Sequence, residues 1–189
     1  MDMNTAILEQ KEAYREVNAI TGTAGSVIFG TQSFSELPVA ELVQDFGLNI
    51  SVCNRSVEGA TLEDAFDLLD ECVYDLHPRK VFLNFGETDL IRADFDLDHF
   101  ITRYEQLILR ACEGGKRKVY IIPVLSAKPE AQDMNQALRA LAKRTGSCYV
   151  DVADVFQHEK PRVRLFSELT HYMREGMMSF SEAMHVYGV

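Results

Sequence analysis

The sequence predicts one α/β domain, built as a three-layer α/β/α sandwich around a five-stranded parallel sheet. Short apolar runs bounded by turn residues alternate with longer amphipathic segments, the pattern of strand-helix-strand units. The 189 residues suffice for one well-buried core and are too few for two domains of typical size. A content of 47% hydrophobic and 25% charged residues is typical of a globular protein.

Five short apolar runs are the predicted strands, because each ends at a turn signal and is long enough to cross a sheet. Short connections and right-handed crossovers favour a parallel arrangement. A rival nucleotide-binding fold of the same class would place a glycine-rich phosphate loop after the first strand, and Gly30-Thr31-Gln32-Ser33 lacks it. The predicted strands span residues 26–29, 48–53, 80–85, 119–124 and 148–152.

Amphipathic segments flank these runs and are the predicted helices. In one of them Leu62, Phe66, Leu69 and Val73 recur every three or four residues, which predicts a continuous apolar stripe against the sheet. The N-terminal helix precedes the first strand and is expected to be an accessory element. We expect residues 153–170 to be irregular, and a loop of that length is often functional. The predicted helices span residues 1–20, 39–45, 62–76, 99–112, 131–143 and 172–186.

The net charge of −10 disfavours nucleic acid as a partner, because affinity for nucleic acid depends on neutralising phosphates with Lys and Arg. It disfavours an anionic membrane surface likewise. No apolar run approaches the roughly 20 residues that span a bilayer, and the first residues do not resemble a secretory signal. We therefore expect a cytoplasmic protein without a membrane partner.

The cysteines and the acidic residues predict no metal site. The cysteines are scattered without a C-x-x-C pair, so we expect buried free thiols. The acidic residues between positions 87 and 98 do not reproduce a calcium loop and are expected to be solvated. We therefore predict neither a metal nor another cofactor. The four cysteines are Cys53, Cys72, Cys112 and Cys148.

Glu168 and His171 are the candidate catalytic pair. A carboxylate three residues before a histidine lets one short loop present both groups, so that the acid orients the ring and the other ring nitrogen acts as a base. Ligands of open parallel sheets bind beyond the carboxyl ends of the strands. The loops after the first, second, third and fifth predicted strands should therefore converge on one rim.

Four blocks in these loops, in this order, resemble the SGNH or GDSL hydrolase family, whose members cleave esters and related acyl bonds. The resemblance covers about residues 26–177. It implies the flavodoxin-like sheet of that family, a small acyl or acetyl ester as substrate, and no cofactor. The blocks are Gly30-Thr31-Gln32-Ser33, Gly59 in the second loop, Gly86-Glu87-Thr88-Asp89, and Glu168-Leu169-Thr170-His171.

Several positions depart from the family's motifs. The family's aspartate and nucleophilic serine fall on Thr31 and Gln32, and an amide cannot attack an ester as a serine alkoxide does. The oxyanion-hole asparagine falls on Thr88, and losing one well-placed donor typically costs about a hundredfold to a thousandfold in rate. The acid has become Glu168, which is one methylene longer.

The resemblance leaves two functions open, and the first is a serine esterase of altered geometry. Ser33 would be the nucleophile, His171 the general base and Glu168 its orienting acid. The backbone N–H groups of Ser33 and Gly59 would bind the oxyanion. The oxyanion and substrate-binding residues that this reading implies are Gly59, Thr88, Gln32 and Asp89.

In the second function the fold persists without the chemistry, and the same site binds a small ligand or a protein partner. Ser33 is then a helix-start residue, in a capping box with Glu36. The N-terminal helix and a Met-bearing C-terminal helix are candidate contact surfaces for a homo-oligomer. The sequence names neither the acyl group nor the alcohol of a substrate.

Overall fold

A five-stranded parallel sheet lies at the centre of the fold, in a computed structural model that describes residues 3–126, 128–152, 155 and 161–175. The strands are ordered β2-β1-β3-β4-β5, and every neighbouring pair is parallel. The predicted α/β class and five-stranded parallel sheet are confirmed. The strands are β1 (Ser26–Gly30), β2 (Val52–Asn54), β3 (Lys80–Asn84), β4 (Lys118–Ile121) and β5 (Cys148–Tyr149).

Helices cover both faces of the sheet, because successive strand residues point to opposite sides. In β1, for example, Val27 and Phe29 join one buried cluster, whereas Ile28 joins the other. The first cluster packs under α1, α4, α5, α6 and α7, and the second under α2, α3 and α8. The helices are α1 (Met3–Thr21), α2 (Gln32–Ser35), α3 (Val39–Asp45), α4 (Asp64–Asp67), α5 (Leu69–Cys72), α6 (Leu97–Cys112), α7 (Pro129–Thr145) and α8 (Pro161–Arg174).

Several predicted elements differ in extent from the observed ones. The fourth strand ends at Ile121 rather than at residue 124, and the fifth ends at Tyr149 rather than at residue 152. The second strand begins at Val52 rather than at residue 48, because its pairing partner β1 begins only at Ser26. The single helix predicted over residues 62–76 is divided into α4, α5 and a 3-10 turn, Tyr74–Leu76. The helix is interrupted at Val73, whose φ of −129° lies outside the helical region and whose branched side chain has a low helix propensity. The predicted apolar stripe nevertheless packs against the sheet.

The expected irregular segment at residues 153–170 is wrong over its last ten residues, which belong to α8. Pro161 is well suited to a first helical turn, where its missing N–H leaves no bond unmade. Leu165, Phe166, Leu169 and Met173 then recur at helical spacing, and all four are buried against the sheet. The predicted helix over 172–186 therefore begins too late, and its part beyond residue 175 lies outside the described residues.

The predicted N-terminal helix is confirmed as α1, and a buried polar network attaches it to the loop after β2. The Arg55 guanidinium donates to Asn18 Oδ1 from Nε and Nη2, at 3.0 and 2.8 Å. Tyr14 Oη donates to the carbonyl of Ser56 at 2.6 Å. On the same face of α1, Arg15 pairs with the buried carboxylate of Glu71 at 2.6 Å. This network holds the segment that leads to Gly59.

All four cysteines are free thiols, as predicted, but only Cys72 is buried and the other three are half-buried. Burial raises the pKa of the Cys53 thiol and that of Cys148 above the usual range, so neither is an activated nucleophile. Within the described ranges, no helix combines the length and apolar character needed to cross a membrane.

Candidate functional site

The turns after β1 and β3 lie side by side at the carboxyl end of the sheet, where the sequence predicted the site. Gly30 makes this approach possible, because a Cβ atom there would lie 2.7 Å from the carbonyl oxygen of Asn84. The next residue, Thr31, donates its backbone N–H to the same carbonyl at 3.1 Å. The first and third family-like blocks are therefore neighbours in space.

Two threonines connect these blocks where the family carries an aspartate and an asparagine. The hydroxyls of Thr31 and Thr88 lie 3.0 Å apart and share a hydrogen bond. Thr31 is fully buried, and Thr88 is half-buried. A hydroxyl has one donor and an asparagine amide has two, so Thr88, which already shares a hydrogen bond with Thr31, offers fewer donors to an oxyanion than the family's asparagine.

Gln32 occupies the family's nucleophile position and is exposed at the start of α2. Its amide Nε2 lies 3.5 Å from Oε1 of Glu58, in the loop after β2. An uncharged amide has no lone pair of sufficient basicity to attack an ester. Gln32 is therefore suited to bind a ligand through hydrogen bonds and not to form a covalent intermediate.

Ser33, the proposed nucleophile, is bound to Glu87. Its Oγ donates to Glu87 Oε1 at 2.5 Å, and its backbone N–H donates to Oε2 at 3.2 Å. The capping box predicted between Ser33 and Glu36 is wrong, because Ser33 lies inside α2 and the Thr31 N-cap has no side-chain cap bond. Glu87 instead satisfies one of the free N–H groups in the first turn of α2.

Asp89 lies buried below the rim and supports the second loop. Both of its carboxylate oxygens accept from the backbone N–H of Leu62, at 3.1 and 3.2 Å. Burial raises the pKa of the Asp89 carboxyl to about 6, and the Leu62 hydrogen bond opposes that rise. Asp89 thus holds the chain just beyond Gly59 and faces the same cavity as Gly59.

The sequence predicted that Glu168 and His171 lie in a rim loop. Both residues lie in α8 instead. Glu168 pairs with Arg164 one turn earlier, at 2.6 Å, and not with His171. His171 is exposed in the last turn, where its ring contacts Tyr172. Because Leu169 and Met173 form the buried face of this helix, the intervening His171 side chain points away from the core.

The last turn of α8 lies towards the amino end of the sheet, away from Ser33. Lys80, the first residue of β3, donates from Nζ to the carbonyls of Tyr172 and Met173, at 2.7 and 2.9 Å. Ser33 follows the opposite end of the neighbouring strand β1. Five strand residues separate these ends by roughly 13 Å. The structure therefore does not assemble Ser33, His171 and Glu168 into a catalytic triad.

A cavity of about 780 Å³ adjoins the rim and includes three of the four predicted substrate-binding residues, Gly59, Thr88 and Asp89. The fourth, Gln32, and the proposed nucleophile Ser33 do not line it. The cavity extends towards the start of α6, between segments 61–64 and 91–103. Its volume suits a ligand of the size of a small organic molecule.

The cavity is acidic and has a partly apolar wall. Its two arginines are already neutralised, since Arg92 pairs with Asp94 at 3.0 Å and Arg103 pairs with Glu63. Three further carboxylates line the cavity and form no salt bridge within the described part of the chain, those of Asp64, Asp89 and Asp96. Ile91, Phe95 and Phe100 supply apolar surface. Within the described residues there is no group of three or more His, Cys, Asp or Glu side chains placed to hold a metal ion.

The sequence reasoning missed Glu87 and Glu58 as parts of the site. Both were visible as acidic residues next to the family-like glycines, but their partners Ser33 and Gln32 are 54 and 26 positions away in sequence. Only the position of β1 between β2 and β3 brings these pairs together. The pairing of strands in space is not encoded in the local spacing of the motifs.

Solved structures with the same arrangement include a GDSL-like lipase from Bacteroides thetaiotaomicron, 16% identical, with a TM-score of 0.71 over 88% of this chain and 98% of that one. An acetylxylan esterase from Geobacillus stearothermophilus is 17% identical, with a TM-score of 0.63 over 84% of this chain and 97% of that one. No protein-family model and no curated protein sequence matches the chain. The sheet order, the adjacent family-like blocks and these structures together show that the chain has the SGNH/GDSL hydrolase fold.

Proposed function

We propose that this protein uses the SGNH/GDSL fold to bind a small ligand at the carboxyl end of the sheet, without serine catalysis. The observation that carries the proposal is that the residues at the family's catalytic positions are replaced or lie apart from one another. Gln32 stands where the nucleophile belongs, Ser33 is bound to Glu87, and His171 lies on α8 towards the other end of the sheet. A cavity is nevertheless present beside Gly59 and Thr88.

The charge of the cavity favours a ligand that donates hydrogen bonds. Ionised carboxylates accept hydrogen bonds but do not donate them, so Asp64, Asp89 and Asp96, which form no salt bridge among the described residues, favour hydroxyl or ammonium groups. A carboxylate group on the ligand would be repelled by these negatively charged side chains. The apolar wall from Phe95 and Ile91 suits the carbon face of such a molecule. We therefore propose a neutral or cationic polyhydroxylated ligand.

Glucosamine, glucose and glucuronate share one hexose scaffold and differ in charge. Together they test whether the cavity prefers a cationic ligand to an anionic one. We expect ligand-observed NMR to show that glucosamine binds most tightly and glucuronate most weakly. The Glu63→Gln variant removes one charge from the rim and frees Arg103, so it should reduce this preference for the cation severalfold. Glu130→Gln, an exposed change at the first turn of α7, is the matched control and should leave the order unchanged.

Binding of glucuronate as tightly as glucosamine would overturn the proposed ligand class. So would the failure of all three hexoses to bind in the millimolar range, because the hydroxyl groups common to the set are part of the proposal. An equal effect of Glu63→Gln and Glu130→Gln would show that the overall charge decides, and not the cavity.

Ester hydrolysis is the second candidate, and the contact between Ser33 and Glu87 favours it. A carboxylate that accepts a hydrogen bond from a serine Oγ at 2.5 Å is within reach to remove its proton. Glu87 would then take the role that the sequence reasoning gave to His171. The two candidates differ in one outcome: a serine nucleophile is captured covalently by a fluorophosphonate, and a helix-start serine is not.

A further inference from the structure

A basic cavity lies at the amino end of the sheet, opposite the turns after β1, β2 and β3 that carry the first three family-like blocks. It is formed by the turn before β3 and the turn before β4, and its volume is about 620 Å³. Neither turn contributes to the cavity beside Gly59. Its lining residues are Tyr74, His77, Pro78, Arg79, Glu113, Lys116 and Arg117.

Arg117 is the unusual member of this cavity. Its side chain is only 7% exposed, and its one ionic partner among the described residues is Glu113, which contacts Nη1. The Nε donor of the same guanidinium is buried and has no hydrogen-bond partner within the described structure. The Cζ atom of the guanidinium lies over the Tyr74 ring, 5.0 Å from its centre. A buried guanidinium with five donors and one carboxylate oxygen is poorly compensated, which favours an additional anion.

The remaining charges give the cavity a positive excess. Lys116 pairs with the same Glu113 carboxylate at 2.9 Å, so one anion serves two cations. Arg79 is exposed, and its side chain has no partner among the described residues. Three cations against one carboxylate leave two positive charges unbalanced in a protein whose net charge is −10. The charge of this cavity is therefore opposite in sign to the net charge of the chain.

We propose that this cavity binds the phosphate group of a small phosphate monoester. A phosphate carries a charge near −2 at neutral pH, which matches the unbalanced cations, and its oxygens suit arginine donors. The Tyr74 ring and Pro78 provide an apolar wall for the organic part of the ligand. The proposal is independent of the function proposed for the carboxyl-end cavity.

Phenyl phosphate and inorganic phosphate are the probes, titrated into the full chain at low ionic strength and followed by calorimetry and backbone NMR. We expect both to bind, phenyl phosphate more tightly, and the shifted amide signals to map to residues 74–79 and 113–118. The double variant Arg79→Ala/Lys116→Ala should weaken affinity about tenfold or more, since charge-assisted hydrogen bonds are lost. Both side chains are exposed, so the fold should be unaffected.

A gain-of-affinity variant and a charge control make the test decisive. Glu113→Gln removes the competing carboxylate, so phosphate should bind several times more tightly and should raise the melting temperature more than in the wild type. Lys128→Ala removes a charge at the start of α7, at the other end of the sheet, and should change nothing. The proposal is overturned if neither probe binds in the millimolar range, if Lys128→Ala weakens binding equally, or if Glu113→Gln does not strengthen it.

Discussion

The Gly86→Ala variant is expected to lose about 2–6 kcal/mol of stability, a large fraction of the roughly 5–15 kcal/mol by which a typical domain is stable. Gly86 opens the third block, and its φ of +126° is a conformation that side-chain-bearing residues rarely adopt. A Cβ atom there would also lie 2.6 Å from Met134 Sδ and 2.8 Å from Val124 Cγ2. Backbone strain and overpacking therefore act together in a site that cannot expand.

Gly47→Ala is the matched control for this prediction, because Gly47 also has a positive φ, +59°, but no atom lies within 4 Å of the added Cβ. Only the cost of backbone strain remains there, about 1–2 kcal/mol. Urea unfolding of the wild type and the two variants measures the difference. Equal losses in both variants would show that the crowding at Gly86 is relieved by small movements of Met134 and Val124.

The Asp89→Asn variant is expected to remove up to about 3 kcal/mol of pH dependence from the stability of the fold. The pKa of the Asp89 carboxyl is raised from 3.8 to about 6 in the native state. The native state thus holds this proton more tightly than the unfolded chain. The contribution of Asp89 therefore favours folding below about pH 4 and is lost as the pH rises through about 6.

An asparagine is neutral at every pH and retains one oxygen that can accept from the Leu62 N–H. Between pH 4 and pH 7 the free energy of unfolding of the wild type should therefore fall relative to that of Asp89→Asn. Denaturant titrations at both pH values measure it, with Asp98→Asn on exposed α6 surface as the control. A difference that stays constant with pH would contradict the raised pKa of Asp89.

The sheet was predictable from the sequence because its strands are short apolar runs between turn residues. Residues 26–29 and 80–85 were nearly correct, since these central strands are buried on both faces and therefore carry almost uninterrupted apolar runs. The carboxyl-end location of the cavity followed from the same parallel topology. Gly59, Thr88 and Asp89 line it because the loops after β2 and β3 both begin at that rim.

The roles of Ser33 and His171 were not predictable in the same way. His171 lies five residues after Phe166 and two after Leu169, which follow a helical apolar spacing, so its helical context was visible, but the acid-x-x-His spacing suggested a loop. Its position relative to Ser33 depends on the direction of α8 across the sheet, which local spacing does not specify. The contact between Ser33 and Glu87 likewise arises from strand order.

Fluorophosphonate labelling of the wild type and of Ser33→Ala, read by mass spectrometry of the intact chain and its peptides, tests the central claim most directly. If the site binds a ligand without serine catalysis, Ser33 should remain unmodified, and neither protein should gain the mass of the probe adduct. Covalent labelling on Ser33 that disappears in Ser33→Ala would contradict that claim. A matching loss in Glu87→Gln would then identify the ester hydrolase whose base is Glu87.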